Sequence, residues 1–251
     1  MPDTNQVFLL GGYDLEMLTI KQMLEGVIGC VVLDKQLKWG NAHLSVYQDE
    51  LQQYANHHIY GIEILEDITP PDNYHRIDHH NDYDYKQSSL EQVAEIVGVT
   101  LNRRQQLIAA NDRGYIPEMQ KLSASEEEIA DIRRLDRAAQ GITAEDEALA
   151  QESVKNNLQT SGSLIIVKSQ TSCFSAICDI LFPYKRLLIY TESEWMFYGE
   201  GKTELVESLK DSIREKKVLY GGGDHGFIGS KKYAYSKEEI EQFVNYIRQR
   251  L

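Results

Sequence analysis

At 251 residues, with 42% hydrophobic and 26% charged side chains, the chain is long and apolar enough to bury a sizeable core and is not disordered by composition. A formal net charge of −13 argues against a broad duplex-DNA surface, which needs Lys and Arg against the phosphates, while leaving room for a short nucleotide in a local basic pocket. No run of about 18 apolar residues predicts a membrane span. "MPDTNQVFLL" has no basic stretch before its short apolar run, and Cys30, Cys173 and Cys178 form no CxxC pair, so a reduced, cytoplasmic protein is expected.

In chain order, "VFLLG" (7–11) reads as a buried strand and "MLTIKQML" as a helix by its apolar spacing. "VIGCVVL" (27–33) predicts a second strand, "LSVYQDELQQYA" (44–55) a helix, "IYGIEIL" (59–65) a third strand and "YHRI" a short fourth. A helix follows over "SSLEQVAEIVG", capped by Ser88 or Ser89 and closed by Gly98, and another runs from about Arg103 to Ala110. Alternating strands and helices predict an α/β layer with a mainly parallel sheet over residues 1–120. Residues 121–160 are acidic and strand-free, with a capping box at Ser125 and Glu128 and a second helix from Thr143, and are expected to be a helical connector. β character returns in 161–251, a smaller C-terminal α/β domain, at "SLIIVKS" (163–169), "RLLIYTES" (186–193) and "WMFYGEG" (195–201). Helices are expected near 203–215 and 236–249, on either side of "YGGGDHGFIGS".

Ligands of parallel α/β sheets sit at the carboxyl ends of the strands. Asp14 and Glu16 follow the first strand there, Glu63 lies near the end of the third, and Asp78, His79 and His80 end the fourth. Asp112 in "LIAANDRGY" lies just past a helix. Taken singly, each acid reads more readily as a solvated loop residue or a helix cap than as a ligand. Brought to one point, these oxygen and nitrogen donors, with no thiolate among them, suit Mn²⁺ or Mg²⁺ better than a structural zinc. The second constellation is "GGGDHGFIG" (221–229), whose glycines allow backbone N–H groups to turn toward an anion, with His225, Lys231 and Lys232 close in sequence. It is neither a Walker loop nor a GxGxxG fingerprint, and a plain tight turn is the competing reading.

Together, "DHH" after an apolar step and "GGGDHGFIG" in a separate C-terminal part resemble the DHH phosphoesterase superfamily, with the DHH-associated domain following the catalytic one. The resemblance covers nearly the whole chain in the right order. In its first motif Asp14 matches, Glu16 stands where an Asp is usual and Gly12 where an acid or His is usual. Glu63 is the best match to the lone acid of the second motif, with Glu66 and Asp67 as alternatives. Asp78, His79 and His80 carry the third motif unchanged, and Asp112 matches the fourth.

This resemblance implies a metal-dependent phosphoesterase of small nucleotides or short single-stranded oligonucleotides. One or two Mn²⁺ (or Mg²⁺) ions would be held by Asp14, Glu16, Glu63, Asp78, His79 and Asp112, with Asp78, His79 and His80 catalytic. Gly221, Gly222, Gly223, His225 and Lys231 would bind substrate, and closure of two domains about 121–160 would complete the site. No duplex DNA or membrane partner is expected, and a homodimer is left open. The rival is a degenerate relative that binds a nucleotide as a sensor or assembly partner, a reading that Gly12 and Glu16 favour.

Overall fold

The computed structural model describes residues 5–80, 83, 85–221 and 226–250. The chain divides into two compact units, Met1–Gln140 and Gly141–Leu251. Among the described residues, no helix is long and apolar enough to cross a membrane.

The first unit is built on four strands, β1 (Gln6–Leu10), β2 (Cys30–Leu33), β3 (His58–Ile62) and β4 (Tyr74–Ile77), in the order β2-β1-β3-β4. All three pairings are parallel. β1 is buried along its whole length, as a continuous apolar run must be when both faces of a parallel sheet are covered. Val7 and Leu9 pack with Leu44, Tyr47, Leu51, Ile59 and Ile64, while Phe8, alternating to the other face, stacks on Tyr60 with ring centroids 5.0 Å apart. Helices α1 (Leu15–Glu25), α3 (Ser89–Val97), α4 (Arg103–Lys121) and α5 (Glu126–Ala139) pack on one another, and the short α2 (Gln48–Gln53) follows a 3₁₀ turn over Leu44–Tyr47. Ser88 and Glu91 form the capping box of α3, and Gly98 closes that helix in the left-handed conformation, φ +70°.

Parallel register brings the strand ends level, with Leu10 beside Ile62 and Ile62 beside Ile77. Gly11, Glu63 and Asp78 are therefore the next residues out on three adjacent strands. Gly11 has to be glycine, because a Cβ there would lie 2.3 Å from the Ile62 carbonyl oxygen and 2.4 Å from that of Glu63. β3 stops at Ile62 rather than running to Leu65, since Glu63 turns out of the strand with φ +52°. The helix expected to end at Ala110 instead continues to Lys121 across a kink at Gly114 and Tyr115.

Residues 121–160 divide between the units. α5 buries Ile132, Arg133 and Asp136 and packs on α1 and α4, so it is part of the first unit. α6 (Ala144–Asn157) buries Ala150 in the apolar cluster of Val167, Phe174, Ile177, Leu187 and Ile189 in the second. An amphipathic helix is held by whatever buries its apolar stripe, and each of these has found its own core.

The second unit carries a mixed sheet of six strands, in the order β5-β6-β7-β8-β10-β9. These are β5 (Leu158–Ser161), β6 (Leu164–Lys168), β7 (Arg186–Tyr190), β8 (Trp195–Gly199), β9 (Val218–Gly221) and β10 (Phe227–Ser230). Among the described residues of this sheet, only β6 and β7 pair in parallel. α7 (Phe174–Leu181) covers one face with α6, and α8 (Lys202–Ser208), α9 (Lys210–Arg214) and α10 (Lys237–Arg250) complete the unit. The chain is thus α/β in both halves.

Gly11→Ala is expected to lower unfolding stability by about 1–3 kcal/mol, the usual cost of forcing a methyl into a filled site. Urea denaturation of the two proteins measures it, and an unchanged midpoint would contradict the contact between these strand ends.

Candidate metal centre

Each acid at the strand ends is placed by a local backbone feature. Asp14 is the N-cap of α1, and its Oδ1 accepts the Met17 N–H at 2.8 Å. Glu16, in the first turn of the same helix, accepts the Leu90 N–H at 3.0 Å through Oε1, so the start of α3 anchors it. Glu63 Oε1 accepts the Ser89 hydroxyl at 2.7 Å, again from the start of α3. Its left-handed backbone is a conformation that non-glycine residues adopt only where the surroundings hold them to it. Asp112 lies on α4, two residues before the break at Gly114 and Tyr115.

The DHH turn leaves the end of β4. Asp78 accepts the His80 N–H at 2.9 Å through Oδ1, a local Asx-type bond that fixes the turn. Its Oδ2 accepts from Arg76, from Nη2 at 2.7 Å and from Nε at 3.2 Å. The turn sends the two imidazoles to the same place, with ring centroids 4.2 Å apart. His79 Nε2 then lies 2.7 Å from Asp112 Oδ2, 3.2 Å from Glu63 Oε1 and 3.5 Å from Glu16 Oε2. His80 Nε2 lies 3.5 Å from Glu63 Oε1. Glu63, His79, His80 and Asp112 each offer a donor atom, all within 4.8 Å of one another.

So many ionisable groups in so little water perturb each other. Burial, and then the charges of Asp112 and Glu63, push the Asp14 carboxyl well above its ordinary value. Burial also raises Glu16. Asp112 is pushed up to about 8, by burial first and the Glu16 charge second. For Glu63 burial acts upward, but close contacts with His79 and His80 outweigh it and bring the group to about 2. Burial pulls both imidazoles down and is again outweighed. Asp112, Glu16 and Glu63 lift His79 to about 12, and Glu63 lifts His80 to about 9.

The donor set suits a divalent cation. His79 Nε2 and Asp112 Oδ2 are 2.7 Å apart, yet both are buried and neither has an aligned hydrogen-bond partner. A buried imidazole nitrogen and a buried carboxylate oxygen in contact without an aligned hydrogen bond are what a shared ion reconciles. Imidazole and carboxylate together, without thiolate, fit a divalent transition-metal cation better than a purely oxygen-ligated one.

Of the residues singled out in the sequence, Glu63, His79, His80 and Asp112 come together, Glu16 touches the group through His79, and Asp14 lies near enough to feel Asp112 and Glu63. The Asp78 carboxylate is engaged by Arg76 instead. Glu66 lies 3.7 Å from Arg76, and Asp67 accepts from the backbone and hydroxyl of Ser45. Gly12 is buried. In the second unit, Gly221 ends β9 and its carbonyl accepts from the buried Lys202 at 3.2 Å, while Lys231 is exposed just after β10. Gly222, Gly223 and His225 lie outside the described residues.

Several contributors escaped the sequence reading. Arg76 and Ser89 are two. A third is the buried Arg133 of α5, which donates to Asn111 at 2.9 Å and Asp136 at 2.8 Å and lies over the Tyr115 ring at 4.5 Å. It braces the segment on either side of Asp112. An Arg and an Asp three residues apart, on the face of α5 that also carries Ile132, were the available signal.

No sequence-family model matches the chain, and no curated protein matches it. Solved structures do. The DHH domain of a protein described as a member of a family of ribosomal proteins superposes with a TM-score of 0.55 at 12% identity, over 98% of this chain and 87% of its own. The pGpG-specific phosphodiesterase PggH from Vibrio cholerae superposes with a TM-score of 0.50 at 10% identity, over 97% of each chain. With parallel strands ending in an Asp-His-His turn and a second α/β unit following, this chain has the fold of the DHH-domain proteins.

Proposed function

We propose that the chain is a divalent-metal-dependent phosphoesterase, with Mn²⁺ the preferred ion, acting on a small nucleotide or a short single-stranded oligonucleotide. The observation that carries this is the convergence of Glu63, His79, His80 and Asp112 on one point, with His79 and Asp112 in contact but not hydrogen-bonded. The structural likeness to a phosphodiesterase of pGpG supports a short substrate. So does the acidic chain, which would repel a long polyanion.

Glu63, His79, His80 and Asp112 would hold the ion, with Glu16 and Asp14 beside them. When bound, a divalent cation supplies Lewis acidity, which acidifies water and offsets charge on phosphoryl oxygens. The protein's own part is to hold these donors and to manage protons. Ser89 and the Leu90 N–H keep Glu63 and Glu16 oriented in the absence of substrate. His80, half-exposed and raised to about 9 by Glu63, carries a proton at neutral pH in the free protein and would release it on becoming a ligand. Asp78 fixes the turn that aims both imidazoles. In the second unit, Gly221, Gly222, Gly223, His225 and Lys231 remain the proposed substrate-binding element.

A second reading, nucleotide binding without cleavage, is favoured by Gly12, which offers no ligand, and by the Arg76–Asp78 pair. The two separate in one assay. Hydrolysis of a panel comprising a bis-aryl phosphodiester, short oligonucleotides, cyclic dinucleotides and pyrophosphate is expected with added Mn²⁺. Asp112→Asn and His79→Ala should lower turnover by more than about 100-fold, beyond the 10–100-fold typical of groups that only support a ligand. A folded wild type that shifts its melting temperature with nucleotide, takes up no Mn²⁺ and turns over nothing would support the binder.

Metal affinity should rise with pH. Asp112, raised to about 8, and His79, raised to about 12, are both protonated at pH 6 in the free protein and must lose those protons to act as ligands. Each proton displaced tightens the apparent Mn²⁺ dissociation constant by about tenfold per pH unit between pH 6 and 8. Calorimetric titration in buffers of different ionisation enthalpy measures both the slope and the protons released. A pH-independent constant would contradict this ligand set.

A further inference from the structure

We propose that Arg113 is a positioning residue of this centre. Through Glu91 it ties the segment that carries Asp112 to the helix start that orients Glu63 and Glu16. The inference rests on the metal-centre reading above and names a residue, one position beyond a donor, that keeps the set in register. The donors come from two supports. Glu63 and Glu16 take their hydrogen bonds from the first turn of α3, from the Ser89 hydroxyl at 2.7 Å and the Leu90 N–H at 3.0 Å. Asp112 arrives on α4, just before that helix breaks at Gly114 and Tyr115. A donor set shared between two helices keeps its spacing only while the helices keep theirs, and a functional site tolerates only about half an ångström of drift.

Arg113 joins the two supports. Its Nη1 donates to Glu91 Oε2 at 2.9 Å, and the same oxygen accepts the Ser88 N–H at 3.0 Å. The Ser88 hydroxyl in turn accepts the Glu91 N–H at 3.2 Å, so the carboxylate that Arg113 grips is the one that closes the cap of α3. Ser88 and Ser89 are both fully buried, which leaves that cap little room to shift. Arg113 reaches the far side of the break as well, with Nη2 3.6 Å from Glu118 Oε2. The Glu118 side chain lies over Gly114, where a Cβ would come within 2.3 Å of its Cγ. One planar guanidinium thus meets a carboxylate from α3 and another from the second half of α4, a fork that a lysine ammonium does not reproduce. The Arg113 and Glu91 side chains are 32% and 30% exposed, so the pair contributes little to global stability. Its consequence is local: it sets Asp112 against the start of α3.

The sign of one measurement separates placement from charge. A guanidinium near a cation site repels the cation, so deleting its charge alone would tighten Mn²⁺ binding. Deleting a tie loosens it. Mn²⁺ dissociation constants are measured at one pH by calorimetric titration for the wild type, Arg113→Met and Arg113→Lys, each below its melting temperature. Low-temperature electron paramagnetic resonance of the bound ion is recorded on the same samples. Arg113→Met should weaken Mn²⁺ binding about tenfold, the lower end for groups that support a ligand, and broaden the spectrum as donor geometry loosens. Arg113→Lys, which keeps the charge without the fork, should fall between the two. Adding Glu91→Gln to Arg113→Met should cost little more than Arg113→Met alone, because both break the same tie. An unchanged or tighter constant in folded Arg113→Met would overturn the inference while leaving the metal centre standing. If Arg113→Met does not fold, Arg113→Lys decides: weaker binding supports the tie, and an unchanged or tighter constant overturns it. No Mn²⁺ bound by the wild type would remove the metal-centre reading, and this inference with it.

Discussion

Like charge crowded into a dry place is the constraint on which the first unit depends. Asp14, Glu16 and Glu63 are buried at the carboxyl ends of adjacent strands, and Asp112 approaches them from α4. Carboxylates that close cannot all ionise unless something positive stands among them. In the free protein that role falls to His79, held protonated to about 12 by the acids around it, and to His80 at the open side. A cation arriving at the same point replaces protons rather than filling an indifferent hole. The group is thereby poised for metal by the electrostatics that would otherwise oppose its burial.

Backbone features close to the sheet keep the acids in place. The N-terminal turns of α1 and α3 present N–H groups with no partner inside their own helices, and Asp14 and Glu16 take two of them. The Ser89 hydroxyl serves Glu63 in the same way. Each of these bonds is worth about 1–3 kcal/mol to a charged acceptor, and each would become a penalty if its acid were removed. The parallel register decides which residues share this end of the sheet, and Gly11 allows β1 and the end of β3 to approach closely enough. Fold and site are thus the same fact seen at two scales.

Much of this was legible in the sequence because it depends on period and punctuation. Continuous apolar runs marked β1 and β7, a capping serine and Gly98 marked α3, the Ser125–Glu128 box marked α5, and the Asp-His-His triplet marked the end of β4. What stayed hidden depends on partners distant in the chain. That Asp78 would be claimed by Arg76 follows from two side chains sharing one side of a strand, which alternation permits but does not require. α7 was missed because "FSAICDIL" is a short apolar run, and such runs do not distinguish helix from strand. α5 read as a connector because its composition is acidic, whereas its inner face carries Ile132, Arg133 and Asp136 into the first unit. Gly222, Gly223 and His225 were the most visible motif of the C-terminal half, and they lie outside the described residues.

Strain follows the same logic as charge. Glu63, with φ +52°, and Tyr115, with φ +63° and ψ −148°, hold backbone conformations that cost of order 1–3 kcal/mol each outside glycine. Glu63 is a donor of the cluster, and Tyr115 lies three residues beyond another, Asp112. Both are held from outside: Glu63 by its N–H to the Ile77 carbonyl and by Ser89, Tyr115 by the Arg133 guanidinium over its ring. Through Asn111 before the break and the Tyr115 ring after it, Arg133 of α5 holds both sides of the segment that carries Asp112. The kink is therefore part of how Asp112 reaches the cluster. It lets a helix of the outer layer deliver one carboxylate to the strand ends and then turn away, and α5 is the element that keeps it so.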